Sequence, residues 1–252
     1  MVDPQSAEMI RHIEERSLNA LPALQTLTYD GWLLRFAHGY TRRANSVNPL
    51  YAGTLPLDEK VAYCEEVYRA QGLNVVFKLT DAAQPATLDA ELDKLGYQWQ
   101  AGTIVQMLTL TGSSFASDAD VTADTHFTNT WFQAFAQLNG LHTDAASTLK
   151  QILAHIQPRT CFATFVQDGQ AVATGMAVLE RGIVGLFDIV TDVEHRRKGY
   201  STRLVSHLLA WARDNGAQQA YLQVVAENQP AVWMYNKLGF KETYHYWYRV
   251  KS

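Results

Sequence analysis

The chain has 252 residues, of which 47% are hydrophobic and 18% charged, with 21 Lys and Arg against 25 Asp and Glu and a formal net charge of −4. That length can bury one large core or two smaller ones, and the slight acidity speaks against the clearly basic surface of a nucleic-acid binder. No apolar run approaches the roughly 18 residues of a membrane span, and the opening Met-Val-Asp-Pro-Gln-Ser-Ala-Glu lacks a basic start followed by an apolar core, so no membrane partner and no secretory signal are expected, and a cytoplasmic location is.

Taken in chain order, a helix is expected near Ala7–Leu18. Trp32, Leu34 and Phe36 then alternate as in a half-buried strand. An extended segment follows over Thr41–Val47. Its Arg42 and Arg43, with no acid nearby in Tyr40-Thr-Arg-Arg-Ala-Asn-Ser-Val-Asn48, either bind an acceptor carboxylate or phosphate or form the solvated face of a hairpin strand. A helix over Asp58–Gln71, a strand over Leu73–Leu79, a helix over Leu88–Leu95 closed by Gly96-Tyr97, and a strand over Ile104–Leu110 complete the first part. Leu110–Asp120 is rich in small polar residues and reads as a linker. The expected division is therefore 1–112, a linker over 113–125, and 126–252.

Beyond the linker, helices are expected over Phe127–Leu138 and Ala145–Ile156. Strands over Cys161–Gln167 and Ala171–Leu179 flank Asp168-Gly169, a hairpin turn signal. Next come a strand ending at Thr191, a helix over Tyr200–Arg213, a strand over Ala220–Ala226 and a short helix over Gln229–Leu238 with Gly239 as its stop. Aromatic-rich Phe240–Val250 closes the chain as a strand. The tail Tyr244-His-Tyr-Trp-Tyr248 could line a pocket, close the core or form an interface. Cys64 and Cys161 lie in helix-like and strand-like patterns and read as buried free thiols. The eight histidines show no metal-ligand spacing, so no metal is expected.

The most informative stretch is Thr191-Asp-Val-Glu-His-Arg-Arg-Lys-Gly-Tyr-Ser-Thr-Arg-Leu-Val205. An apolar strand ends in a turn with three consecutive cations, Arg196, Arg197 and Lys198, then Gly199, and an amphipathic helix starts at once. The first N–H groups of a helix have no partner inside it and carry the positive end of its dipole, so this is an arrangement for holding phosphate. Downstream comes Leu222-Gln-Val-Val-Ala-Glu-Asn-Gln-Pro-Ala-Val-Trp-Met-Tyr-Asn-Lys-Leu-Gly-Phe240.

From about Gly185 to Phe240 the chain resembles the acyl-CoA-binding half of the GNAT acetyltransferase superfamily. Arg196, Gly199 and Ser201 match its Arg/Gln-x-x-Gly-x-Gly/Ala pattern, with Ser where Gly or Ala is usual. Asn228, Ala231, Tyr235, Gly239 and Phe240 match its later Asn-x-x-Ala-x-x-x-Tyr-x-x-x-Gly-Phe pattern. The resemblance implies an α/β (α+β) fold, a mixed and mostly antiparallel central sheet flanked by helices, with the first part as a second, degenerate GNAT-like lobe. It also implies an N-acetyltransferase that moves an acetyl group from acetyl-CoA to a primary amine by direct attack in a ternary complex. The alternative is a non-catalytic acyl-CoA-binding module. Ile189, Val190 and Thr191 would bind the pantetheine arm through their main chain. The loop and helix start, Arg196, Arg197, Lys198, Gly199, Tyr200, Ser201 and Thr202, would take the pyrophosphate. Asn228 would bond the cofactor or cap its helix. Tyr235 would be the general acid. Asp188, a carboxylate inside an apolar run, and Glu227 beside Asn228 are the candidate bases. The partner is an amine of unknown identity, and the protein is expected to be a monomer or homodimer.

Overall fold

The computed structural model describes residues 3–251, and its chain divides into two compact units. The first holds the residues up to Ile104 together with Val225–Glu227 and those from Tyr244 on. The second holds Val105–Val224 and Asn228–Thr243. The boundary thus falls at Ile104/Val105 rather than at 112, and the last segment joins the first unit rather than staying with 126–243.

In the first unit, helix α1 (Pro4–Ala20) begins where Asp3 accepts from the N–H groups of Gln5 and Ser6 at 3.1 Å, with Pro4 at the first helical position. The sheet runs in the order β1 (Gln25–Tyr29), β2 (Trp32–Phe36), β3 (Val47–Asn48), β4 (Val75–Thr80), β11 (Lys241–Lys251). The β3–β4 pair is parallel and the others antiparallel. Helices α2 (Leu57–Ala70) and α3 (Leu88–Lys94) place Val61, Cys64, Tyr68, Leu88 and Leu92 in one core with Trp32, Leu34, Phe36 and Phe77 from the strands. Trp32, Leu34 and Phe36 of β2 are buried as their alternation predicts, but Arg35 between them is buried too, its guanidinium donating to the carbonyls of Leu18 and Arg43, so β2 is covered on both faces rather than half-buried. A buried ion pair joins Glu14 of α1 to Lys78 of β4, Tyr244 Oη donates to Glu14 at 2.8 Å, and the Lys78 ammonium sits 4.1 Å from the Tyr246 ring centroid.

Two expectations change here and one open reading narrows. Thr41–Val47 is not extended throughout: Arg42–Ala44 is a 3-10 turn. Asn45 causes it, its amide oxygen accepting from the N–H groups of Ala37 and Gly39 and its NH2 donating to the carbonyls of Ala37 and Thr41. Arg42 donates to Gln100 at 2.6 Å and lies 5.7 Å from the Tyr248 ring centroid. The aromatic tail closes the core of this unit, with Tyr244, Tyr246 and Tyr248 all buried and the Trp247 indole donating to Asp89. Strand β1 has no counterpart in the sequence reading, because Gln25-Thr-Leu-Thr-Tyr29 is an edge strand with few buried positions.

The second unit has the strand order β10 (Gln219–Val225), β9 (Ile183–Thr191), β8 (Gln170–Glu180), β7 (Arg159–Gln167), β6 (Val121–Asp124). Only β10 and β9 pair in parallel among these. β6 lies inside the expected linker. Its sole buried residue is Val121, too little for a periodic signal. Strand β5 (Gln98–Thr109) contributes to this unit from Val105 on. Helices α4 (Asn129–Asn139) and α6 (Tyr200–Asp214) pack on β7, β8 and β9, α6 through Leu204, Val205, Leu208 and Leu209, while α5 (Thr143–Ala154) and α7 (Gln229–Lys237) complete the unit. Trp131 of α4 stacks on Phe135, meets Phe162 edge-on and donates to the carbonyl of Ala163 at 3.1 Å. Each unit is thus a mixed, mostly antiparallel sheet with helices against it. Among the described residues no helix is long and apolar enough to cross a membrane.

Candidate active site

Three local features open the second unit's sheet. Pairing of β10 with β9 runs from Gln219↔Ile183 to Leu222↔Leu186 and stops there, although β9 continues to Thr191. On the other side the β8–β9 register shifts between Thr174 and Met176, so Asp188 and Ile189 face the single residue Gly175. That is a β-bulge, and it re-aims the strand beyond it. Gly175 leaves room there for the Ile189 side chain, which a Cβ would force to shift. Asp188 adopts φ +53°, a left-handed conformation that Asp and Asn tolerate better than other side chains do. The bulge therefore gives a backbone reason for an Asp at this position.

The turn after β9 is built the same way, from backbone outward. Asp192 accepts from the N–H of Glu194 and from His195 Nδ1 at 3.0 Å, and the His195 contact holds the Asp192 carboxyl below its ordinary range. Arg197 and Gly199 both have positive φ, 63° and 86°. Gly199 then starts α6, and its carbonyl accepts from Arg203 N–H. A Cβ at Gly199 would meet nothing within 4 Å, so the glycine serves the backbone conformation and the open approach in front of it. Ser201, the departure from the family pattern, has a structural use: its hydroxyl lies 2.6 Å from Thr191 Oγ1 and ties the strand end to the first turn of α6.

These elements and α7 enclose a cavity of about 1030 Å³. Ile189, Val190, Thr191, Arg196, Arg197, Gly199, Tyr200, Ser201, Thr202, Asn228 and Tyr235 all line it. Lys198, Asp188 and Glu227 do not. His195, Pro230, Ala231, Trp233, Met234, Lys237 and Leu238 also line it and were not foreseen as site residues. Among the described lining residues Arg196, Arg197 and Lys237 are permanent cations and none is a carboxylate. Asn228 caps α7 by accepting from Ala231 N–H at 3.4 Å. Tyr235 is 7% exposed, meets Phe240 edge-on at 5.9 Å, and burial pushes its phenol up to about 12. It is therefore a protonated donor at neutral pH. Burial likewise raises Cys64 and Cys161 to about 12, so neither thiol offers a thiolate nucleophile.

The cavity is large and lined by cations without acids, as a site for an extended anionic ligand must be. Its volume is at the upper end of the usual range of about 300–1,000 Å³. The first N–H groups of α6 lack intrahelical partners, and the cations beside them face no lining acid.

A family model described as "Probable histone acetyltransferase Rv0428c C-terminal" matches residues 7–249. The "Uncharacterized N-acetyltransferase YobR" of Bacillus subtilis (strain 168) is 32% identical over 247 residues, which cover 96% of this chain and 98% of that one. Among solved structures, a GCN5-related N-acetyltransferase from Kribbella flavida aligns with a TM-score of 0.72 at 16% identity, over 96% of this chain and 95% of its own. A tandem GNAT protein from the clavulanic acid biosynthesis pathway aligns with a TM-score of 0.61 at 14% identity, over 76% of this chain and 69% of its own. At those identities the structural likeness is one of fold. Fold and relatives together define an acyltransferase. The chain belongs to the GNAT acetyltransferase superfamily and, within it, to the family of the Rv0428c C-terminal region.

Proposed function

We propose that this protein transfers an acetyl group from acetyl-CoA to a primary amine of a small molecule or a protein, by direct attack in a ternary complex. The observation that carries this reading is the cavity itself, where an open helix start, two loop arginines and a buried neutral phenol line one space with no acid. The family's own description, a probable histone acetyltransferase, brings protein amines into the acceptor class.

Arg196, Arg197 and the N–H groups of Gly199 to Thr202 take the pyrophosphate. Charge-assisted hydrogen bonds of about 1.5–3 kcal/mol each outweigh the roughly 0.3–1 kcal/mol of the helix dipole. The main chain of Ile189–Thr191, unpaired with β10, takes the amides of the pantetheine arm. Asn228 holds the start of α7 and with it the position of Tyr235. A bound thioester supplies the activated acyl group. The N–H near Ile189 donates to the developing oxyanion, and Tyr235 gives its proton to the departing thiolate. We assign the amine proton to Asp188, with Glu227 as the second candidate.

The first unit reads as a degenerate GNAT-like lobe. Its parallel β3–β4 pair flanks α2 as β9 and β10 flank α6. Yet α2 opens with Asp58 and Glu59, which would repel a phosphate.

The test is thermal unfolding with and without acetyl-CoA. At a hundredfold its Kd a ligand stabilises by about 2.7 kcal/mol, a rise of roughly 5–10 °C for a protein of this size. Gly199→Asp, which adds backbone strain and a negative charge at the helix start, should lose that rise. No shift in the parent protein at millimolar acetyl-CoA would remove the donor assignment.

A further inference from the structure

Among the described residues three cations of the cavity have no carboxylate within hydrogen-bond reach, unlike the cations that fasten the fold. Arg203, Arg249, Lys60 and Lys78 each meet a carboxylate within 3.0 Å. Among the described residues Arg196, Arg197 and Lys237 have no such partner, and all three line the same space. Arg196 and Arg197 lie in the loop before α6, beside the N–H groups assigned to the pyrophosphate. Lys237 lies in the last turn of α7.

Its ammonium sits 3.6 Å from the ring centroid of Trp233, one helical turn earlier. Trp233 is 62% exposed, while Trp32 and Trp131 are fully buried. The indole therefore does no core packing. It presents an aromatic face and a preorganised cation to the cavity.

We propose that Trp233 and Lys237 read the nucleotide end of the donor, the indole stacking the adenine base and the ammonium pairing with the ribose 3′-phosphate. The inference rests on acetyl-CoA as the donor. That donor carries phosphate in two places: a diphosphate, which the loop and helix start satisfy, and a monoester of about −1.5 to −2 charge at neutral pH, which needs a further cation. Stacking on an exposed indole accepts any purine face. The ammonium then distinguishes a phosphorylated ribose from a bare one, and its seat on Trp233 reduces the freedom lost when it pairs.

The experiment is calorimetric titration with acetyl-CoA and with 3′-dephospho-acetyl-CoA. It compares the parent protein with Lys237→Ala, Trp233→Ala and, as a control for general electrostatics, Lys241→Ala, an exposed cation that does not line the cavity. The parent should bind acetyl-CoA about five- to tenfold more tightly than the dephospho compound. In Lys237→Ala that preference should collapse toward unity, through loss of acetyl-CoA affinity alone. Trp233→Ala should weaken both ligands by about tenfold, and Lys241→Ala should keep the parent preference. A parent that binds both ligands equally, or a Lys241→Ala that loses the preference as Lys237→Ala does, overturns the inference while leaving acetyl-CoA as donor. A parent that binds neither ligand removes the donor assignment and this inference with it.

Discussion

At the residue scale the proposed mechanism turns on Tyr235. Its phenol is buried and raised, so it holds its proton through the pH range in which an amine acceptor must lose one. Tyr235→Phe keeps the packing against Phe240 and removes the proton donor. It should lower kcat by about 10²-fold while leaving the Kd for acetyl-CoA within about twofold, because in the proposed mechanism the hydroxyl acts when the thiolate leaves rather than when the thioester binds; comparing single-turnover rates with titration separates the two. Asp188 needs a different variant, since its side chain answers a backbone demand as well as a chemical one. Asparagine tolerates the same left-handed conformation, so Asp188→Asn isolates the charge. It should lower kcat/KM by roughly 10²-fold and flatten the acid side of the pH profile. If Asp188→Asn keeps that limb and Glu227→Gln loses it, the base is Glu227. Arg196, Gly199, Ser201, Asn228 and Tyr235 were legible in the sequence because each stands at a fixed offset in a motif. His195, Trp233 and Lys237 were not, because a lone histidine in a loop and an i, i+4 pair on a helix look the same whether or not a cavity lies beside them.

At the element scale the site depends on how α6 is held. Arg203, in its first turn, donates to Asp118 at 2.6 and 2.8 Å and to Asp120 at 2.7 Å. One turn on, His207 Nδ1 accepts from the N–H of Asp118 at 3.0 Å, and Arg213 donates to the carbonyl of Phe115. The segment between β5 and β6 is thus a strap fastened along the helix rather than a free linker, which composition could not show because its fixing bonds reach almost ninety residues forward. The His207 contact requires a neutral ring, and desolvation lowers its folded pKa below 6.5 despite the opposing pull of Asp118. The unfolded state therefore binds the proton more readily, so this stabilisation is present above about pH 6.5 and is lost as pH falls through the lower folded value. The melting temperature should fall on acidification over roughly pH 7.5 to 5, less so in His207→Gln, whose amide oxygen accepts the same bond at any pH. An identical slope in parent and variant would remove His207 as the cause. Strong elements such as β8, β9 and α6 were legible from periodicity. Edge strands β1 and β6 were not, because each buries too little to leave a pattern.

At the scale of the whole molecule, stability rests on different devices in the two units. The second packs aromatic and aliphatic side chains around Trp131 and α6, whereas the first, beside its own core around Trp32 and Phe77, carries a charge pair in its interior. Glu14 and Lys78 are 1% and 4% exposed. Lys78→Met leaves Glu14 buried with Tyr244 as its remaining donor and should cost about 3–5 kcal/mol. The double variant Glu14→Leu with Lys78→Met should cost less than that single one, since no unpaired charge remains. Urea unfolding followed by tyrosine and tryptophan signals measures both, and a double variant as unstable as Lys78→Met would refute the account. A break in the sequence pattern near residue 110 was legible in composition. The destination of the last strand was not, because apolar alternation in Tyr244–Val250 says that a strand forms and nothing about which neighbour it takes. That destination, beside β4 through Tyr246↔Thr80 to Lys251↔Val75, has a consequence for synthesis. As the chain leaves the ribosome, β4 emerges early and waits for its partner until about 165 further residues have been made. The middle of the chain is complete before the beginning is, and a nascent chain halted just before Tyr244 would hold every residue that lines the cavity while its first unit still lacked its closing strand.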